Sequence, residues 1–100
     1  RLRDLLDSIR DGFVAMDREL RYTYVNPTAE VLFATPARDM LGRSLLEVFP
    51  QARELEFHRA CERVLASGRA EQIEQNFQPH DRWYDNHLYP TAEGLAVFFE

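Results

Sequence analysis

Leu2, Leu5, Leu6 and Ile9 stand at i, i+3, i+4 and i+7, one face of an amphipathic helix, with Arg3, Asp4, Asp7 and Arg10 on the other. Arg3 and Asp7 have the supporting i, i+4 spacing. Gly12 is placed to close the helix in the left-handed conformation. Four apolar positions do not form a heptad seam, so the helix could lie on the domain's own sheet or couple between subunits. Two short runs rich in β-branched and aromatic residues follow, at 13–16 and 22–25, separated by Asp17-Arg18-Glu19. They predict a hairpin, with Asp17 as a turn residue.

Asn26-Pro27 then predicts a helix start, because Asn26 can accept from orphan backbone N–H groups and Pro27 suits the first helical position. Ala29, Val31, Leu32 and Phe33 make that helix brief and mostly buried. Thr35-Pro36 repeats the signal and opens a turn through Met40 and Leu41, broken by Gly42. Ser44 and Glu47 have the spacing of a capping box, and Pro50 is placed to stop that third piece. Each piece is too short to stand alone. They must lean on something broad, and a sheet is the natural support.

A longer helix is expected over 53–67, with Phe57, Ala60, Cys61, Val64 and Leu65 on its apolar face and Gly68 closing it. Strands are expected over 71–77, 82–89 and 95–99, with turns at 79–81 and 91–94. The predicted order is helix, two strands, several helices, three strands.

Composition then narrows the function classes. One hundred residues form one core, and 45% hydrophobic with 12% aromatic residues suffices to order the chain. The longest apolar runs fall far below the ~20 residues of a membrane helix. The charged amino end does not read as a signal peptide. A single cysteine, Cys61, builds neither a disulfide framework nor a zinc site, which fits a reducing compartment. A cytoplasmic domain without direct membrane contact is expected, any membrane anchor being left to other parts of the parent protein. A net charge of −5 argues against nucleic acid as a partner. All twelve basic residues are arginine, which removes Schiff-base chemistry and a phosphate-loop lysine.

The order of elements, with several local patterns, resembles the PAS sensor domains. The carriers are Asp11-Gly12-Phe13-Val14-Ala15-Met16-Asp17, Tyr24-Val25-Asn26-Pro27-Thr28-Ala29-Glu30, Leu41-Gly42-Arg43-Ser44-Leu45 and Leu65-Ala66-Ser67-Gly68. Arg82-Trp83-Tyr84 with Leu88-Tyr89-Pro90, and Gly94-Leu95-Ala96-Val97-Phe98-Phe99, complete the set. The resemblance implies an α+β fold: a five-stranded antiparallel sheet with short helices on one face and an amino-terminal amphipathic helix. On this reading residues 1–11 are a coupling or capping helix and 12–100 the PAS core. In the family the last strand usually leads into an Asp-Ile-Thr segment joined to an output helix. Residue 100 stands just before that point. The resemblance therefore implies a non-catalytic regulatory domain of a larger signalling protein, a bacterial sensor histidine kinase of a two-component phosphorelay or a diguanylate cyclase.

Alternation places Tyr84, Asn86 and Leu88 on one face of their strand and Trp83, Asp85, His87 and Tyr89 on the other. PAS domains resembling this one carry an aliphatic residue where Asn86 stands, so an inward Asn86 would be a buried amide in need of partners. The expected ligand pocket, between sheet and short helices, is lined by Phe33, Phe49, Phe57, Tyr84, Asn86 and Leu88. Trp83 and Tyr89, with Leu2, Leu5, Leu6 and Ile9, form the expected interface of a homodimer. Asn26 reads as a helix cap rather than a ligand contact.

Haem-binding PAS domains take their axial histidine from the long helix, which makes His58 the candidate. At about 100° per residue from Phe57, Cys61 lies near 40°, Leu65 near 80° and His58 near 100°, at the edge of the apolar face. A solvated edge histidine is the better reading. Cys61 reads as core, and the asparagine-cysteine-arginine motif of flavin photoreceptors is absent. No cofactor is expected. For catalysis, His58 with Cys61 lacks an orienting third group, and His80 with Asp81 falls in a turn. Asp85 with His87 lacks the further ligands of a metal site. The leading function is a sensor that takes a small ligand, the second a ligand-free module for dimerisation. A third, a small hydrolase or isomerase, needs a polar cavity towards which the sequence offers only Asn86.

Overall fold

The computed structural model describes residue 5, residues 10–77 and residues 81–100. Five strands form one antiparallel sheet: β1 (Gly12–Asp17), β2 (Tyr22–Val25), β3 (Glu71–Phe77), β4 (Arg82–Pro90) and β5 (Gly94–Phe99), in the order β2-β1-β5-β4-β3. The helices are α1 (Pro27–Phe33), α2 (Leu45–Val48) and α3 (Glu56–Ser67), with 3-10 turns at Ala37–Asp39 and Pro50–Glu54. The core lies between one face of the sheet and these helices. Val14 pairs with Val97, which pairs with Leu88, and all three are fully buried, packed with Met16, Leu95, Ala60, Cys61 and Val64.

The hairpin forms because Asp17 Oδ1 accepts from the amides of Glu19 and Arg21, each at 2.9 Å, while Leu20 takes a positive φ of 60°. Asn26 is sealed from solvent and caps α1, accepting from Ala29 N at 2.8 Å. Ser44 and Glu47 form the capping box in both directions. Gly68 closes α3 at φ 70°, the left-handed conformation that a side chain resists.

The structure departs from the sequence reading at several points. β1 also takes in Gly12 and Asp17 and β5 Gly94, and Val31 of α1 is exposed where the sequence predicts a mostly buried helix. The long helix begins at Glu56, not at 53, because after α2 ends at Val48 the residues Pro50–Glu54 form a 3-10 turn and Leu55 is extended (φ −94°, ψ 151°). Thr35 does not cap the next turn: its hydroxyl donates to Phe33 O at 2.9 Å, and Glu30 Oε2 accepts from Ala37 N at 2.7 Å instead. Gly12 is the first residue of β1, without a positive φ. Its role is clearance, since a Cβ there would meet Leu32 Cδ1 at 2.8 Å. Strand β4 runs on to Pro90, one residue past the expected end. Leu2, Leu6 and Ile9 lie outside the described residues; Leu5 is 62% exposed.

Candidate functional site

Where α1, α2, the Pro50–Glu54 turn, α3 and the distal ends of β3 and β4 converge, they enclose a cavity of about 300 Å³. Its walls are mostly aromatic. Phe33 meets Phe49, Phe77 and Phe99 at centroid separations of 5.3, 5.8 and 5.3 Å, and Phe49 meets Phe77 at 6.5 Å, all edge to face. Phe57 enters from the first turn of α3, 6.2 Å from Phe99. Leu32 and Leu55 complete the apolar wall. Rings gather here because α1 and the α2–α3 connection present their inward residues to the alternate residues of three strands.

Polar side chains in the wall come from seven residues, of which Gln75, Asn76 and Asn86 make hydrogen bonds within the chain. Gln75 Oε1 accepts from Phe57 N at 3.3 Å, satisfying an orphan amide at the start of α3. Asn86 is 3% exposed, and its Nδ2 donates to Tyr84 O at 3.0 Å. A carbonyl can only accept, which assigns the nitrogen to that side and turns Oδ1 the other way. No described residue donates to Oδ1. Among the described residues no sealed side-chain N or O lacks a partner, so Oδ1 opens onto the cavity that Asn86 lines. Tyr22, 3% exposed, lines the same space, and its hydroxyl likewise has no partner among the described residues. Burial, and secondarily the Cys61 thiol, pushes its phenol well above the ordinary value, so it stays neutral. Among the described residues the wall has no basic or histidine side chain, and its one carboxylate, Glu54, is exposed at the rim.

Five of the six residues read as pocket from the sequence, Phe33, Phe49, Phe57, Tyr84 and Asn86, line this cavity together. Leu88 does not. It shares their face of β4 but lies beside Val97 in the close-packed core, beyond the cavity's end. Phe77, Phe99, Gln75 and Tyr22 were missed. The alternation that set Asn86 inward extends through the register to Phe99, its direct partner on β5, and Gln75 is the partner of Tyr84 on β3.

His58 sits elsewhere. It lies in a shallow groove with Arg18, Leu46 and Glu62, its Nε2 3.9 Å from Glu62 Oε2. It is not among the residues that line the ring-lined cavity. Cys61 is sealed in the core, where burial pushes its thiol up to about 12. On the opposite face of the sheet, Trp83 is 64% and Tyr89 43% exposed. Asp85 and His87 stand between them, and Glu100, whose backbone exchanges hydrogen bonds with Asp85, brings a carboxylate 2.7 Å from His87 Nε2. The three ligand-type atoms lie within 4.8 Å, a grouping that strand spacing alone does not reveal. No described helix is long and apolar enough to cross a membrane.

Solved structures share this architecture. The PAS domain of histidine kinase ThkA superposes with a TM-score of 0.76 at 20% identity, covering 92% of this chain and 99% of that one. The photoactive yellow protein domain from the sensor histidine kinase Ppr of Rhodospirillum centenum gives 0.80 at 17% identity, covering 98% and 91%. A sensory box sensor histidine kinase from Vibrio cholerae gives 0.77 at 18%, covering 98% and 86%. At these identities the likeness is one of fold. No curated protein sequence matches the chain. The family model of the PAS fold matches residues 6–99, and with the sheet order and the helical layer over one face, the chain belongs to that family.

Proposed function

We propose that this domain is a sensory module. A small molecule held in the ring-lined cavity shifts the packing of the helices against the sheet, and the shift passes to an output domain of the same protein. The observation that carries this reading is the cavity itself. Its volume, about 300 Å³, is at the lower end of small-molecule sites, and its walls are apolar with a few convergent polar groups. Because elements from α1 to β5 share the wall, a ligand that fits one arrangement of them better than another biases the whole domain. Among the described residues the cavity wall holds no charged pair for acid–base work and no activated nucleophile, which supports a regulatory role over a catalytic one. The histidine kinase neighbours favour a kinase as the output over a diguanylate cyclase.

The test is native mass spectrometry of protein purified without added cofactor, with an absorption scan alongside. Extra mass that departs on denaturation is the expected result. A chain of bare mass whose cavity residues also show no amide shifts when titrated with small aromatic compounds would overturn the reading.

A second role is favoured by Trp83 and Tyr89, exposed apolar rings on the outer face of β4. We infer that this face pairs two copies of the domain. Sedimentation should show a dimer that Trp83→Glu dissociates, and a monomer at all concentrations would exclude the pairing.

A further inference from the structure

We infer that the ligand of the ring-lined cavity is a neutral, flat molecule of no more than about two fused rings that donates an N–H or O–H hydrogen bond to Asn86 Oδ1. This rests on the sensory reading above and gives it a chemical class. The polarity follows from Asn86. Its Nδ2 is committed to Tyr84 O at 3.0 Å, so the amide cannot turn without setting two acceptors against each other. What faces the cavity is an acceptor, with no described donor to it, on a side chain 97% removed from solvent. Only a donor complements it. The Tyr22 hydroxyl, also directed by its place in the wall, can donate or accept and so imposes no sign of its own.

Neutrality follows from the rest of the wall. Among the described residues no basic group lines it, and Glu54 is exposed at the rim, so an ionised ligand would leave water without a counter-charge. Shape follows from the rings. Phe33, Phe49, Phe77 and Phe99 meet edge to face and present flat slots that suit another ring. A single water is a poor substitute, since even one bonded to both Asn86 Oδ1 and the Tyr22 hydroxyl takes up only about 30 Å³ of the space. The cavity of about 300 Å³ sets the size.

Indole and benzofuran test the assignment, because they share a shape and differ in whether an N–H or an oxygen occupies one ring position. Each is titrated into the whole chain and followed by backbone amide shifts. Indole is expected to bind about tenfold more tightly than benzofuran, and Asn86→Leu to bring the two together. Indole against 1-methylindole repeats the comparison on the wild-type protein, so the result does not depend on the variant folding. Equal affinities in the wild type, or a preference that survives Asn86→Leu, would overturn the donor inference while leaving the cavity a ligand site. Failure of every ring to move the amides of cavity residues would overturn the sensory reading as well.

Discussion

Asn26 Oδ1 accepts from the Phe13 amide at 2.9 Å, thirteen residues away, while also capping α1 at Ala29 N. One oxygen therefore ties the start of the β1–β2 hairpin to the first helix, and Nδ2 adds a bond to Asp11 O at 3.0 Å. Removing it leaves buried amides without acceptors. Asn26→Ala should cost roughly 2–4 kcal/mol, a lost cap plus at least one unsatisfied buried donor. Urea denaturation measures it, and a loss below about 1 kcal/mol would contradict the double role.

Asn86 should behave oppositely. It is just as enclosed but makes one protein hydrogen bond, to a carbonyl within its own strand. Leucine has nearly the same volume and joins a ring-lined wall. Asn86→Leu should change stability by no more than about 1 kcal/mol in either direction. A loss as large as that of Asn26→Ala would mean the amide is structural.

Acid stability should depend on Arg63. Its guanidinium binds both oxygens of Glu71, at 2.8 and 3.0 Å, and reaches Glu56 at 2.8 Å. Hydrogen bonding to Arg63 holds both carboxyls below 4.5, and the Ser44 cap does the same for Glu47. A carboxyl lowered by folding contributes stability that is fully present above the unfolded value and is lost as pH falls through the folded one. Chemical denaturation midpoints should therefore hold down to about pH 5 and decline below it, and Arg63→Ala should flatten the decline. An unchanged slope in the variant would refute the assignment.

The Cys61 thiol should resist modification. Sealed in α3 against the sheet and pushed up to about 12, it holds almost no thiolate at pH 8. Reaction with an aromatic disulfide reagent should proceed only at the rate at which the domain opens, and accelerate with sub-denaturing urea. Rapid labelling in buffer alone would show that the helix is not seated as described.

Trp83, the chain's one tryptophan, reports on the outer face. At 64% exposure its emission in dilute solution should be that of a solvated indole, moving to shorter wavelength as concentration favours pairing. Emission that is blue-shifted at every dilution would place another surface over it.

The alternation within β4 was legible because its period of two is independent of context, and it put Asn86 and Trp83 on opposite faces from letters alone, the inner one being the face of Asn86. Depth along the strand was not. Leu88 shares Asn86's face, yet Val97 packs beside it and leaves no space, which depends on neighbours from distant sequence. The same limit hid Phe99, whose wall position comes from pairing with Asn86 across the sheet, and Glu100, which reaches His87 only through that register. The start of α3 was misplaced for a different reason. Pro50 suits the first position of a helical turn as well as it ends one, and the extended Leu55 carries no sequence mark.

β5, last in the chain, is central in the sheet, flanked by β1 and β4. Its consecutive residues Phe98 and Phe99 lean to opposite sides: Phe99 walls the cavity, while Phe98 touches Phe13 at 4.6 Å and Tyr89 at 6.0 Å on the far face. A slip of one residue would exchange the two rings and bury the wrong set, so the strand cannot yield by sliding. Were a molecule to occupy the cavity as proposed, its pressure on Phe99 would pass through this one strand to Phe98, on the side of the sheet that the molecule never touches.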